Sequence, residues 1–171
     1  MIRPERILTI FNRQRDRSVD GATVRRVAER VLEEHGLGAD VAIHFVSSRQ
    51  SALLNQRHLG HEGPTDILTF DQGSTEECLR GELFICVAEA VRQAGEFGTT
   101  WRRELLRYVI HGLLHLLGYD DLDPARRRVM KREENRLVAR WATGPIARYL
   151  QVPGVFGLRR VVVGGSRKLN S

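Results

Sequence analysis

The chain has 171 residues, 42% of them apolar, which suits one domain with a buried core and argues against disorder throughout. Lys and Arg total 27 against 21 Asp and Glu, giving a net charge of +6 and a pI near 10.1, a balance suited to a polyanion: nucleic acid first, an anionic membrane surface second. No stretch approaches the roughly 18 apolar residues that span a bilayer, the charged start does not read as a secretory leader, and Cys78 and Cys86 lack CxxC spacing, so a reduced, cytoplasmic protein without a membrane partner is expected.

Arg6 to Phe11, rich in Ile and Leu, reads as a strand. Asp20 caps a helix from Ala22 to His35, where Val24, Val27, Ala28, Val31 and Leu32 form an apolar stripe and Gly36 ends it. Val41, Ile43 and Phe45 alternate against Ala42 and His44, predicting a strand over Ala42 to Val46. Ser48 to Arg57 is a short helix with a Ser cap, and Gly60 with Gly63-Pro64 marks a loop. Strands follow at Ile67 to Phe70 and at Leu83 to Val87, joined by the polar stretch Asp71 to Arg80. The pattern then turns helical, over Ala88 to Phe97, over Thr100 to Leu117, and from Asp123-Pro124 to about Ala142. Strands mixed with late-gathered helices predict an α+β domain over residues 1–143, a single small mixed sheet of about four strands covered by helices. From Gly144 to Ser171 the chain carries Arg148, Arg159, Arg160, Arg167 and Lys168 and no acid, and reads as a flexible basic tail, either a further nucleic-acid contact or a segment without a role.

The chemistry concentrates in His111-Gly112-Leu113-Leu114-His115-Leu116-Leu117-Gly118-Tyr119-Asp120-Asp121. Two histidines four apart on a helix project from one face, and neutral imidazoles held there are a ready pair of ligands for a divalent metal. Gly118 can end the helix in the left-handed conformation and let the chain return a third ligand, Asp121, or in second place Asp120. Three protein ligands leave one tetrahedral position open, the arrangement of a catalytic zinc site rather than a structural one. The competing reading is a buried apolar helix with two hydrogen-bonded histidines. A peptidase of the His-Glu-x-x-His type needs a glutamate as base where this chain has Gly112, which argues against a metallopeptidase.

The same motif resembles the signature of the YbeY family, single-domain metal-dependent endoribonucleases linked to ribosomal RNA maturation and ribosome quality control. Leu54-Asn55, Pro64-Thr65-Asp66-Ile67-Leu68-Thr69-Phe70, Gly81-Glu82-Leu83-Phe84-Ile85-Cys86, and Met130 with Glu133 are similar to further family blocks in the same order, so the resemblance covers roughly Ile7 to Val138. It implies a single-strand-directed endoribonuclease that acts in ribosomal RNA processing, with RNA or the ribosome as partner and one divalent ion, zinc first, on His111, His115 and Asp121.

Two positions depart from the family pattern. The third ligand is a histidine in the family and Asp121 here; a carboxylate is an acceptable zinc ligand but removes one unit of charge from the site and widens the choice to manganese. Where the family carries an arginine after Leu-Asn, this chain has Leu59, which cannot hold a phosphate. Arg57, two residues earlier, shares a face with Leu59 if the segment is extended, and is the candidate catalytic residue on that basis. These departures make a catalytically weakened RNA- or ribosome-binding protein of the same fold the alternative. Thr65-Asp66 either supports the metal site from a strand end or orders its own loop, with the loop role preferred.

Overall fold

Alternating apolar side chains pair four segments into one mixed sheet: β1 (Arg6–Asn12), β2 (Gly38–Val46), β3 (Ile67–Asp71) and β4 (Cys78–Cys86). The computed structural model describes residues 4–141 and 144–151. The strand order is β1-β2-β4-β3, parallel between β1 and β2 and between β2 and β4, antiparallel between β4 and β3. The helices are α1 (Gly21–His35), α2 (Ser48–Leu59), α3 (Val87–Phe97), α4 (Trp101–Leu116), α5 (Pro124–Arg140) and α6 (Pro145–Gln151). The α+β expectation holds. Among the described residues no helix is long and apolar enough to cross a membrane.

Local chemistry sets the helix ends. Asp20 accepts from the amides of Ala22 and Thr23 to start α1, Ser47 and Gln50 form a reciprocal capping box on α2, and Asp123 caps α5 with Pro124 in its first turn. Leu8, Val41, Ile43, Phe45, Leu79, Leu83 and Ile85 are buried on one face of the sheet, which packs under α1 and α4. Helix α4 is the hub: its Leu105, Val109, Ile110, Leu113 and Leu114 are fully buried, each contributing about 1.5–3 kcal/mol of transfer free energy. On the opposite face a row of rings crosses the sheet, with His44 stacked between Phe11 and Phe84 at centroid distances of 4.8 and 4.4 Å.

Three sequence expectations need correction. Strand β4 begins at Cys78, not Leu83, because Arg80 and Glu82 turn away from the core while Leu79 and Leu83 enter it; polar residues on the outer face hid the alternation. The link from β3 is therefore a short hairpin connection, closed by the Asp71 carboxylate accepting from the amides of Gly73 and Ser74. Strand β2 likewise starts at Gly38 rather than Ala42, its first residues paired to both β1 and β4. The segment set apart as a tail opens with α6, whose Ile146 and Leu150 are buried and whose Leu150 carbonyl accepts from the Thr100 hydroxyl at 2.7 Å. Residues 152–171, with Arg159, Arg160, Arg167 and Lys168, lie outside the described residues. Cys78 and Cys86 are both free thiols.

Candidate metal centre

Helix α4 crosses the end of the sheet formed by β3 and β4, and Gly112 sets how closely. A Cβ at this position would lie 2.7 Å from the side-chain tips of both Ile67 and Leu83. A larger residue here needs the tips of Ile67 and Leu83 to shift, so the absent glutamate of a His-Glu-x-x-His peptidase would also disturb this packing. His111 and His115 flank Gly112 one turn apart, on the rim where α4 leaves the core. Beyond Leu117, Gly118 takes φ +90°, and the amides of Gly118 and Tyr119 bond back to the carbonyls of His115 and Leu114. This reversal carries Asp121 back over the histidines.

The three side chains converge. Nε2 of His111 and Nε2 of His115 are 3.1 Å apart, with Oδ2 of Asp121 3.8 Å from the first and Oδ1 3.8 Å from the second, and one donor atom from each residue lies within 4.8 Å of the others. Donors on a tetrahedral zinc, with bonds near 2.0–2.1 Å, stand about 3.3 Å from one another, so the spacing fits a shared ion. The other ring nitrogens explain why. Nδ1 of His111 is 2.8 Å from Oε2 of Glu134, and Nδ1 of His115 is 3.2 Å from the carbonyl of Tyr119. A carboxylate and a carbonyl only accept, so each imidazole, when neutral, carries its proton on Nδ1 and directs a bare Nε2 lone pair at the other. Two facing lone pairs repel unless a cation lies between them. Burial, and then the neighbouring His111, push the pKa of His115 below its ordinary value, while Asp121 opposes the shift; the ring is neutral, as a ligand must be.

Glu134, on α5, is the residue the sequence reading missed. Burial alone would raise its pKa, but hydrogen bonds from His111, Lys131 and Arg107 reverse the shift and hold it at about 2. Arg107 and Lys131 donate to its Oε1 at 2.7 and 2.8 Å, which leaves Oε2 for His111. Such an acceptor behind a ligand histidine fixes the tautomer and raises the basicity of the ring. Glu133, the position quoted for the resemblance, instead holds Arg136. The signal was a helical one: Glu134 stands four residues after the buried Met130 and three after Lys131, on the inward face of α5.

Asp120 is committed elsewhere: its carboxylate accepts from the amide of Leu122 and from Arg126, and these bonds lower its pKa. Asp66 orders its own loop, accepting from the Thr65 hydroxyl and the Ile67 amide through Oδ1. It also lines both hollows that meet at the triad. Arg57 does not behave as expected. Helix α2 runs on through Leu59, so the extended segment that would put residues 57 and 59 on one face does not exist. Leu59 lines the hollow over β3, whereas Arg57 is exposed in the last turn and lines neither hollow at the triad.

Known proteins are similar to this chain in sequence and fold. A family model described as Endoribonuclease YbeY matches residues 9–142. A relative from Chlorobium luteolum named Endoribonuclease YbeY is 39% identical over 132 residues, 76% of this chain and 95% of that protein. One of the same name from Pelotomaculum thermopropionicum is 37% identical over 124 residues, 67% of this chain and 82% of the relative. The solution structure of TM1509 from Thermotoga maritima superimposes with a TM-score of 0.55 at 26% identity, over 82% of this chain and 95% of that one. The histidine-bearing helix lies inside the matched span, and the match takes in the whole sheet beyond the first three residues of β1; the chain belongs to the YbeY family.

Proposed function

We propose that this protein is a metal-dependent endoribonuclease that cleaves unpaired RNA, with ribosomal RNA or the ribosome as its partner in the cytoplasm. The observation that carries the reading is the pair of Nε2 lone pairs converging with Asp121, their tautomers set by Glu134 and the Tyr119 carbonyl. The names of the relatives and the positive net charge support RNA as the substrate.

His111, His115 and Asp121 would hold one divalent ion, zinc first on a donor set of two nitrogens and one oxygen. The chemistry such an ion supplies when bound is Lewis acidity toward a phosphoryl oxygen and acidification of water. The protein's own part is preorganisation. Glu134 keeps the proton of His111 on Nδ1 and stays ionised while buried, because Arg107 and Lys131 neutralise it. Gly112 lets α4 sit against β3 and β4, so the ligand pair is seated on the rigid core. Asp121 brings a negative charge, which moderates the acidity the site can impose.

The experiment is cleavage of single-stranded and duplex oligoribonucleotides of one sequence by zinc- or manganese-loaded protein, beside His115→Ala. Cutting of the single strand by the wild type and none by the variant supports the proposal. Equal cutting by both, or RNA binding without any cutting, contradicts it; the latter outcome favours the scaffold alternative.

A further inference from the structure

The triad stands where two hollows of opposite character meet. His111, Asp121 and Asp66 belong to both. The hollow against α5, about 340 Å³, is lined in addition by Arg107, Arg127 and Lys131, with Glu134 as its own acid. The hollow over β3, about 470 Å³, adds Leu59, Ile67, Phe70 and Leu116 and a single charged residue, Asp71, with no cation on its walls.

We infer that single-stranded RNA crosses the triad in one orientation, its phosphate backbone along the α5 wall on Arg127 and Lys131 and an unpaired base in the hollow over β3 against Leu59 and Phe70. This rests on the ribonuclease reading and adds to it the direction of the substrate and the residues that set it. The charge on the two walls separates the alternatives. A phosphate led over β3 meets Asp71, the Thr69 hydroxyl and apolar side chains, with no Lys or Arg to balance its charge. Led over α5 it meets three cations, of which Arg107 is spent on Glu134 and Asn135 and Lys131 is partly spent on Glu134. Arg127 is the least committed: its Nε donates to the Asp121 carbonyl at 3.0 Å, and the side chain is exposed beside the ligand carboxylate. A guanidinium so placed reaches a phosphate next to the one under attack. On the other side, Leu59 is 55% exposed, an apolar surface that a base face covers without needing a hydrogen bond. The Thr69 and Asp71 side chains border the same hollow, where the edge of a base brings donors and acceptors.

The test is kcat/KM for unstructured oligo(A), oligo(U) and oligo(C) at several salt concentrations, with bound metal measured for each protein. Arg127→Ala is expected to lower the slope of log kcat/KM against log salt by about 0.7, the value of one single-strand phosphate contact, and to leave the ranking of the three oligomers unchanged. Arg127→Lys keeps the charge and is expected to keep most of the slope. Leu59→Ala is expected to leave the slope alone, lower the best substrate by about fivefold and compress the ranking. Should Arg127→Ala lose metal through its contact with Asp121, the slope of Lys131→Ala decides. An unchanged slope in the α5-wall variants, or a Leu59→Ala variant that alters the slope and keeps the ranking, overturns the proposed orientation while leaving the ribonuclease reading intact. A wild-type protein that cuts none of the three, fully metal-loaded, overturns that reading and this inference together.

Discussion

The two ends of the candidate site are built by different means. On the α5 side a chain of ion pairs backs the histidines: Glu104 lies beside Arg107, Arg107 and Lys131 hold Glu134, and Glu134 holds His111. On the α2 side the wall is the exposed Leu59 at the end of a helix, with Arg57 off the hollow altogether. One end fixes the ligands and the other leaves room. Precision at a metal site comes from the ring of partners behind the ligands, whereas substrate accommodation needs only shape and surface.

The sharpest way to break this contrast is to remove Glu134. Glu134→Ala leaves Arg107 and Lys131 without their shared anion and His111 without its acceptor. The expected loss is ~3 kcal/mol of stability in denaturant unfolding, and a 10–100-fold weaker metal affinity on the order seen for such supporting partners. The pH dependence follows from the sign of the shift. The Glu134 carboxyl sits at about 2 in the folded chain against 4.5 for a free glutamate. Its contribution is therefore complete above about 4.5 and lost as pH falls toward about 2. Glu134→Gln is expected to flatten the acid limb of the stability curve in that window, and a parallel limb would count against the buried ionised carboxylate.

A smaller effect is expected at Gly112. Gly112→Ala places a methyl where Ile67 and Leu83 already lie, at a cost of about 1–3 kcal/mol in thermal or denaturant unfolding. Metal affinity falls with it if α4 shifts off the sheet; full affinity in a destabilised variant would show that the ligand pair tolerates movement of the helix. Asp121→His sharpens the electrostatic side of the account. A neutral ligand returns one unit of positive charge to the site, so the pH–rate profile is expected to move to lower pH, by a unit or so on the order of known ligand effects. Superimposable profiles would mean that Asp121 is not a ligand. Least of all is expected at Arg57: Arg57→Ala should change cleavage by less than about twofold, since the side chain is exposed and off both hollows.

Much of this site was legible because it is local. The His111, His115, Gly118 and Asp121 spacing encodes its own geometry, since one helix and one turn bring the three candidate ligands together. The helices were legible for the same reason, through caps at Asp20, Ser47 and Asp123. What depended on distant pairing was not. Glu134 reaches His111 only because α5 packs on α4; its helical phase with Met130 sets it on the inward face, unlike Glu133, which turns to Arg136, but does not say what it meets there. The start of β4 was lost because Arg80 and Glu82 are polar on the outward face of the sheet. The expectation for Arg57 was conditional on an extended backbone; the chain is helical there, which turns residues 57 and 59 to different faces. Helix α6 escaped because the basic composition after Gly144 outweighed the short Ile146 and Leu150 repeat that anchors it.

The most direct measurement is metal stoichiometry by equilibrium titration of the chelator-stripped protein with zinc and with manganese, for the wild type and His115→Ala. One ion per wild-type chain and no tight site in the variant are expected. A wild type that stays metal-free in excess of both ions, or a variant that binds as well as the wild type, would contradict the convergence of His111, His115 and Asp121 on a single cation.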